Sequence, residues 1–153
     1  MLQYLTVPVT GFQQNCSIVW CDETRDAALI DPGGDLERLK AEVARLGLTL
    51  KALWLTHAHI DHAGATGTLA RVHELPIVGP HPGDQFWIDG LPKQSQMFGF
   101  PQAESFKPTQ WLKEGDTVQI GKCTLQVIHC PGHTPGHVVF FDPTNRHAYV
   151  GDV

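Results

Sequence analysis

Apolar positions fall into short β-like blocks at both ends of the chain and take up helical spacing only between them. Residues 3–9, 16–20 and 27–30 predict three strands in a meander, with turn-forming stretches at 11–15 and 22–26. Leu36, Leu39, Val43 and Leu46 then recur at helical intervals, with Asp35 placed as the N-cap and Gly47 as the stop. The pattern is that of an amphipathic helix lying on a sheet. A strand at 52–56 runs directly into His57-Ala58-His59-Ile60-Asp61-His62, and residues 63–74 have helix-compatible composition despite Gly64 and Gly67. A short strand follows at 77–79. Residues 80–113 are poor in periodicity and rich in Pro, Gly, Gln and aromatics, which predicts an ordered excursion from the sheet more than a linker, with no element assigned. Strands return at 117–120, 123–130, 137–142 and 147–150.

At 153 residues and 42% hydrophobic composition, the chain is sized for one domain spanning 1–153 with a core of its own. Its formal charge of -5 opposes approach to phosphate backbones and anionic lipid, so neither nucleic acid nor a membrane surface is an expected partner. Residues 1–8 lack a basic segment followed by an apolar stretch, and no later window reaches membrane-spanning length without charge or proline, which predicts a cytoplasmic protein. Cys16, Cys21, Cys123 and Cys130 form no C-x-x-C pair and lie in or beside apolar runs, so they are expected to be buried free thiols.

The chemistry concentrates in residues 57–62, where three of the nine histidines and an aspartate share one short turn. Side chains two apart in an extended segment project to the same side, so His57 and His59 can bring their imidazoles onto one ion. Asp61 and His62 are adjacent and diverge in a strand, whereas at a turn into a helix both can face a second ion. Two histidines leave a tetrahedral ion short of donors. His133, in the turn Pro131-Gly132-His133-Thr134-Pro135-Gly136, and Asp152, after the last strand, are the candidates to complete the set, and Asp152 could bridge two metals. His73, His81, His129, His137 and His147 read as ordinary structural histidines; of these, His137 is the one to watch, because a group supporting a metal ligand from behind would sit there.

The segments Thr56–His62, Pro131–His137 and Gly151-Asp152 together resemble the metallo-β-lactamase superfamily, and within it the glyoxalase II-like thioester hydrolases. Asp31-Pro32-Gly33-Gly34 and residues 86–99 further resemble the short bacterial type that lacks the helical C-terminal domain of longer enzymes. The resemblance implies an α/β (α+β) fold, an αββα sandwich with metals at one edge of its two sheets. It implies that His57, His59 and His133 hold a first metal, that Asp61 and His62 hold a second, and that Asp152 bridges both. Relatives continue past the Gly-Asp motif to a last metal-binding histidine. Here the sequence stops at Val153, so the second half of the sandwich is expected to be incomplete, in a fragment or a short form with a weakened second site, with an apolar edge open to self-association.

The implied chemistry is zinc-assisted hydrolysis with up to two ions, iron and manganese being alternatives, acting on a small-molecule thioester such as S-D-lactoylglutathione or a related hydroxyacylglutathione. Metal coordination acidifies the attacking water and offsets oxyanion charge, while Asp61 orients the nucleophile as the catalytic carboxylate. Two other readings stay open: a mononuclear iron persulfide dioxygenase, and a truncated metal-binding module with little turnover. Phe86, Trp87, Met97 and Phe98 are candidates to shape a pocket beside the metals.

Overall fold

The computed structural model describes residues 1–152. β1 (Leu2–Val9), β2 (Gln14–Cys21) and β3 (Asp26–Ile30) form the expected antiparallel meander. Helix α1 (Leu36–Arg45) then carries the chain across to β4 (Thr49–Trp54), which pairs parallel with β3. After α2 (Ile60–Ala63) and α3 (Thr66–His73), β5 (Ile77–Val78) adds a second parallel neighbour. The first sheet therefore runs β1-β2-β3-β4-β5. The second is wholly antiparallel, in the order β6 (Thr117–Ile120), β7 (Cys123–His129), β8 (Val138–Asp142), β9 (His147–Tyr149).

Strand patterning assigns the layers. In β3, Ala27 and Leu29 face the helices while Ala28 and Ile30 face the other sheet, and all four are buried. A strand covered on both faces has no polar alternation to show, which is why β2 and β3 read as nearly continuous apolar runs. The helix-side core gathers Ile18, Leu29, Leu53 and Leu55 with Leu39, Ile60, Leu69, Ile88 and Leu91 from the five helices. The inter-sheet core sets Val19, Ile30 and Trp54 against Leu125, Val127 and Phe140, and the Trp54 and Phe140 ring centroids lie 5.5 Å apart. β7 buries Leu125 and Val127 and exposes Thr124 and Gln126, the alternation of a sheet covered on one face. Among the described residues the layers are helices, sheet, sheet. No helix among them is long and apolar enough to cross a membrane.

Three expectations change. Residues 80–113 do contain regular structure: a 3-10 turn (Pro82–Asp84), α4 (Gln85–Asp89) and α5 (Leu91–Phe98). At five and eight residues, separated by Gly90, these helices are too short to show a period. Asp35 occupies the N-cap position of α1 but makes no side-chain cap; its backbone is left-handed at φ 53°, and its carboxylate instead accepts from the Thr10 N–H at 3.0 Å. The four thiols are free, but only Cys16 and Cys21 are buried; Cys123 and Cys130 are half-exposed.

Trp54 is the largest wholly buried side chain and spans the seam between the sheets. Trp54→Ala is expected to cost about 3–5 kcal/mol of unfolding free energy, read from urea denaturation, with no change in the pairing of β1 to β2.

Candidate metal centre

The His57–His62 segment sits where the two sheets meet. Past the end of β4, the Leu55 N–H donates to the Val78 carbonyl of the first sheet, and the Thr56 carbonyl accepts from Val138 N–H of the second. The backbone of His57 through His59 is thus pinned to both sheets before the chain turns into α2 at His59. Gly33 packs against the Asp61 carbonyl so closely that any side chain there would collide with it. Gly151 has φ +56° and lies against the Thr56 hydroxyl and the His137 ring, so that glycine lets the β9 exit bring Asp152 down onto the histidines.

All six sequence-derived candidates converge. His59 Nδ1 lies 3.1 Å from His133 Nε2, and Asp152 Oδ2 lies 3.0 Å from His133 Nε2 and 3.5 Å from His57 Nε2. The other oxygen of Asp152 faces His62 Nε2 at 3.1 Å, and Asp61 Oδ2 faces that same nitrogen at 3.6 Å. Two donor groups result, His57/His59/His133/Asp152 and Asp61/His62/Asp152, with Asp152 common to both. Tetrahedral zinc with bonds of about 2.0–2.1 Å sets its donors roughly 3.3 Å apart. The observed separations bracket that value.

The nitrogens facing this space are otherwise without partners: His57 Nε2 and His62 Nε2 are buried and make no hydrogen bond. Such lone pairs are costly to bury unless a cation or donor meets them. The donor set therefore fits a divalent metal, with one oxygen of Asp152 turned to each half of the cluster.

The far sides of the rings are held by groups that the residue pattern did not reveal. Asp31, buried at the end of β3 with φ 60°, accepts from Thr56 N–H at 2.8 Å and from the Thr56 hydroxyl at 2.6 Å. Its Oδ2 also pairs with His62 Nδ1 at 2.9 Å. With its hydroxyl proton given to Asp31, Thr56 Oγ1 accepts from His57 Nδ1–H at 3.0 Å. Both imidazoles are thereby fixed in the tautomer that aims Nε2 at the cluster. Asp31 also lies within ligand reach of His57 and His62, but these hydrogen bonds already engage its oxygens, so it orients rather than ligates.

Asp84 performs a similar task for the first donor group. It is wholly buried, and it accepts from Ala58 N–H at 3.0 Å, from the Thr134 hydroxyl at 2.9 Å and from Gly136 N–H at 2.7 Å. Those donors flank His57, His59 and His133, so one carboxylate ties the two ligand-bearing loops together. Gln94 does the same for α2, accepting from Ile60 N–H at 3.0 Å and donating to the Trp87 carbonyl at 2.9 Å. Asp31 ends a strand in an Asp-Pro-Gly-Gly turn, a visible signal; nothing local marks Asp84 or Gln94.

His137, read from sequence as an ordinary structural histidine worth watching, lies behind the donors. Its ring stacks on His57 at 4.6 Å, and its Nε2 accepts from Asp152 N–H at 3.1 Å. Of the aromatic candidates, only Trp87 reaches the cluster, its ring edge-on to His59 at 4.8 Å; Phe86, Met97 and Phe98 are exposed.

Burial, with neighbouring imidazoles adding to it, holds His57 well below the ordinary histidine value, and burial likewise lowers His59 and His137. Burial also opposes charge on His62, but its hydrogen bond to Asp31 and the Asp31, Asp61 and Asp152 carboxylates outweigh it and push His62 up to about 9. A proton there takes the place of a cation. The signs give a prediction for the metal-free chain. Below the unfolded value near 6.5, the unfolded chain binds protons that folded His57, His59 and His137 refuse, so stability falls as pH drops. Between 6.5 and about 9, the stabilisation from protonated His62 is progressively lost. Melting temperature against pH should peak near 6.5, and loading with zinc should abolish the alkaline decline; a flat profile contradicts the assignment. Asp84→Ala is expected to weaken zinc retention by about 10–100-fold in a chelator competition and to cost on the order of 3 kcal/mol of stability.

The pattern that defines the metallo-beta-lactamase superfamily matches residues 9–153. Hydroxyacylglutathione hydrolase GloC of Haemophilus influenzae is 44% identical over 148 residues, which are 96% of this chain and 69% of that protein. Among solved structures, TTHA1623 in a di-iron-bound form superposes with a TM-score of 0.82 at 35% identity, covering 94% of this chain and 69% of that one. The B3 metallo-beta-lactamase BLEG-1 superposes with a TM-score of 0.81 at 30% identity, covering 94% of this chain and 68% of that one. With the fold, the donor cluster and the sequence match in agreement, the chain belongs to the metallo-beta-lactamase superfamily.

Proposed function

We propose that the protein is a metal-dependent hydrolase of thioesters, with hydroxyacylglutathione conjugates as the substrate class. The observation that carries the hydrolase reading is the Asp152 carboxylate, whose two oxygens face His133 and His62 at 3.0 and 3.1 Å and so join two donor groups. The thioester reading draws on the likeness to the Haemophilus influenzae hydroxyacylglutathione hydrolase.

In this reading His57, His59, His133 and Asp152 would hold one ion, and Asp61, His62 and Asp152 would offer the second position. When bound, the metal supplies Lewis acidity, lowering the pKa of a water from about 15.7 toward 7 and polarising the thioester carbonyl. The residues supply the rest. Asp61, its side chain 20% exposed beside buried His62, accepts the hydrogen bond that orients the attacking water. Asp31 and Thr56 keep His62 and His57 in fixed tautomers, and Asp84 keeps the His133 turn in register with His57 and His59. Trp87 walls the His59 side and excludes solvent from the acyl group. The new C–O bond forms as the C–S bond breaks, and the thiol leaves with the proton released by water. A thiolate is a good leaving group, so no dedicated acid is required.

Zinc is the expected ion on the donor chemistry, nitrogen and oxygen in tetrahedral spacing. Iron is the alternative to measure, because the neighbouring TTHA1623 structure carries a di-iron centre. Hydrolysis of S-D-lactoylglutathione, followed by thiol release and run beside a β-lactam on the same metal-loaded preparation, tests the substrate class. Thiol release with no β-lactam cleavage supports it; β-lactam cleavage without thiol release overturns it. Asp61→Asn is expected to lower kcat by about 100-fold while the ion of the His57/His59/His133 group is retained.

A further inference from the structure

A second pair of histidines, outside the donor cluster, fastens the turn that carries His133. His81 is the N-cap of the 3-10 turn that ends at Asp84, and His129 is the last residue of β7. Their rings stack in parallel, with centroids 3.9 Å apart and planes at 7°. His81 Nδ1 accepts from the Gly83 N–H at 3.0 Å, while His129 Nε2–H donates to the Pro135 carbonyl at 3.0 Å. One ring is bonded to the segment of Asp84 and the other to the segment of His133, so the stack joins the two.

The joint is close-packed as well as bonded. The His81 N–H donates to the Gly136 carbonyl at 3.1 Å. A Cβ on Gly136 would lie 2.5 Å from both the Asp84 nitrogen and the His81 carbonyl oxygen, and one on Gly83 would lie 3.0 Å from the Pro135 carbonyl oxygen. A shift of Gly83 therefore reaches Asp84, whose carboxylate holds Ala58, Thr134 and Gly136 around the ligands.

The two rings use opposite halves of imidazole chemistry. His129 spends an N–H on Pro135, so that bond survives a further proton on Nδ1. His81 spends a lone pair on Gly83, so a proton on its Nδ1 sets two donors against each other and leaves the Gly83 N–H without its acceptor. The charged and titratable groups around His81 are His129 from the end of β7, Asp84 from its own turn, and Lys113, whose neighbour Leu112 donates to the Pro80 carbonyl at 3.1 Å. Glu114 stands behind His129, accepting from its backbone N–H at 3.2 Å. Burial first, then His129 and Lys113, outweigh the attraction of Asp84 and hold His81 below the ordinary histidine value of 6.5. Below that value the unfolded chain binds a proton that the folded joint refuses, so the joint loses stability as pH drops.

We propose that His81 is a positioning residue whose neutral Nδ1 keeps the His133 turn in register with His57 and His59, so that one proton on His81 loosens the first metal position. This rests on the metal position of the proposed hydrolase and adds a proton-sensitive control to it. The control acts through Gly83 and Asp84, not through any ligand.

The test is zinc retention in a chelator competition, measured from about pH 8 down to about pH 5.5 on the native chain, His81→Asn and His81→Phe. Asn Oδ1 stands where imidazole Nδ1 does and accepts from the Gly83 N–H across this range; Phe keeps the stack and offers no acceptor. At the alkaline end the native chain and His81→Asn are expected to hold zinc equally, with His81→Phe about tenfold weaker. At the acid end the native chain is expected to fall about tenfold below His81→Asn and to approach His81→Phe. Protonation of the ligands themselves is common to all three, so the ratios decide. A native-to-Asn ratio that stays constant with pH, or His81→Phe equal to the native chain at the alkaline end, overturns the proposal. Zinc held by none of the three counts against the metal centre itself, and the proposal falls with it. Should a variant fail to fold, NMR of the metal-free native chain decides: the His81 ring protons and the Gly83 amide are expected to titrate with one midpoint below 6.5, and a Gly83 amide indifferent to that titration refutes the link. That measurement uses neither metal nor substrate, so its outcome is separate from that of the hydrolase reading.

Discussion

Nitrogen lone pairs that are buried and unpaired need a positive charge in front of them, and the architecture around this centre follows from that need. Five imidazoles and two carboxylates crowd one edge of the sandwich: His57, His59, His62, His133, His137, Asp61 and Asp152. Stripped of water, most of these imidazoles resist protonation, while His62 among three carboxylates takes a proton up. A cation resolves both tendencies at once, accepting the lone pairs and neutralising the carboxylates.

Holding such a cluster requires rigidity from both layers. The histidine segment bonds to β5 through Leu55 and to β8 through Thr56, so neither sheet can shift without moving it. Behind the rings, Asp31 and Asp84 are buried carboxylates whose partners are N–H groups, the Thr56 and Thr134 hydroxyls and His62, and each spans two loops. A buried carboxylate satisfied in this way serves geometry more than stability. The residues around Asp84 show why α4 and α5 exist where they do: the excursion from the sheet delivers Asp84, Trp87 and Gln94 to the loops that carry the ligands.

Much of this was legible in the order of residues. Alternation and apolar runs located the strands, and the histidine-rich turn together with His133 and Asp152 located the donors, because ligand types are scarce and their spacing is stereochemically constrained. Three kinds of feature were not legible. Helices of five and eight residues carry no measurable period, so α4 and α5 were invisible. Asp35 looks like a cap by composition, yet its left-handed backbone turns the carboxylate toward Thr10. Asp84 and Gln94 act across 26 to 52 positions of sequence, and only the folded backbone brings their partners near.

These imidazoles and carboxylates converge on a position for a cation. Elemental analysis of the purified chain after dialysis against metal-free buffer tests it most directly, run in parallel on the chain carrying both His57→Ala and His59→Ala. About one equivalent or more of a divalent transition metal is expected in the native chain and a near-complete loss in the double variant, with folding preserved by circular dichroism. Undiminished metal in the folded double variant would contradict it.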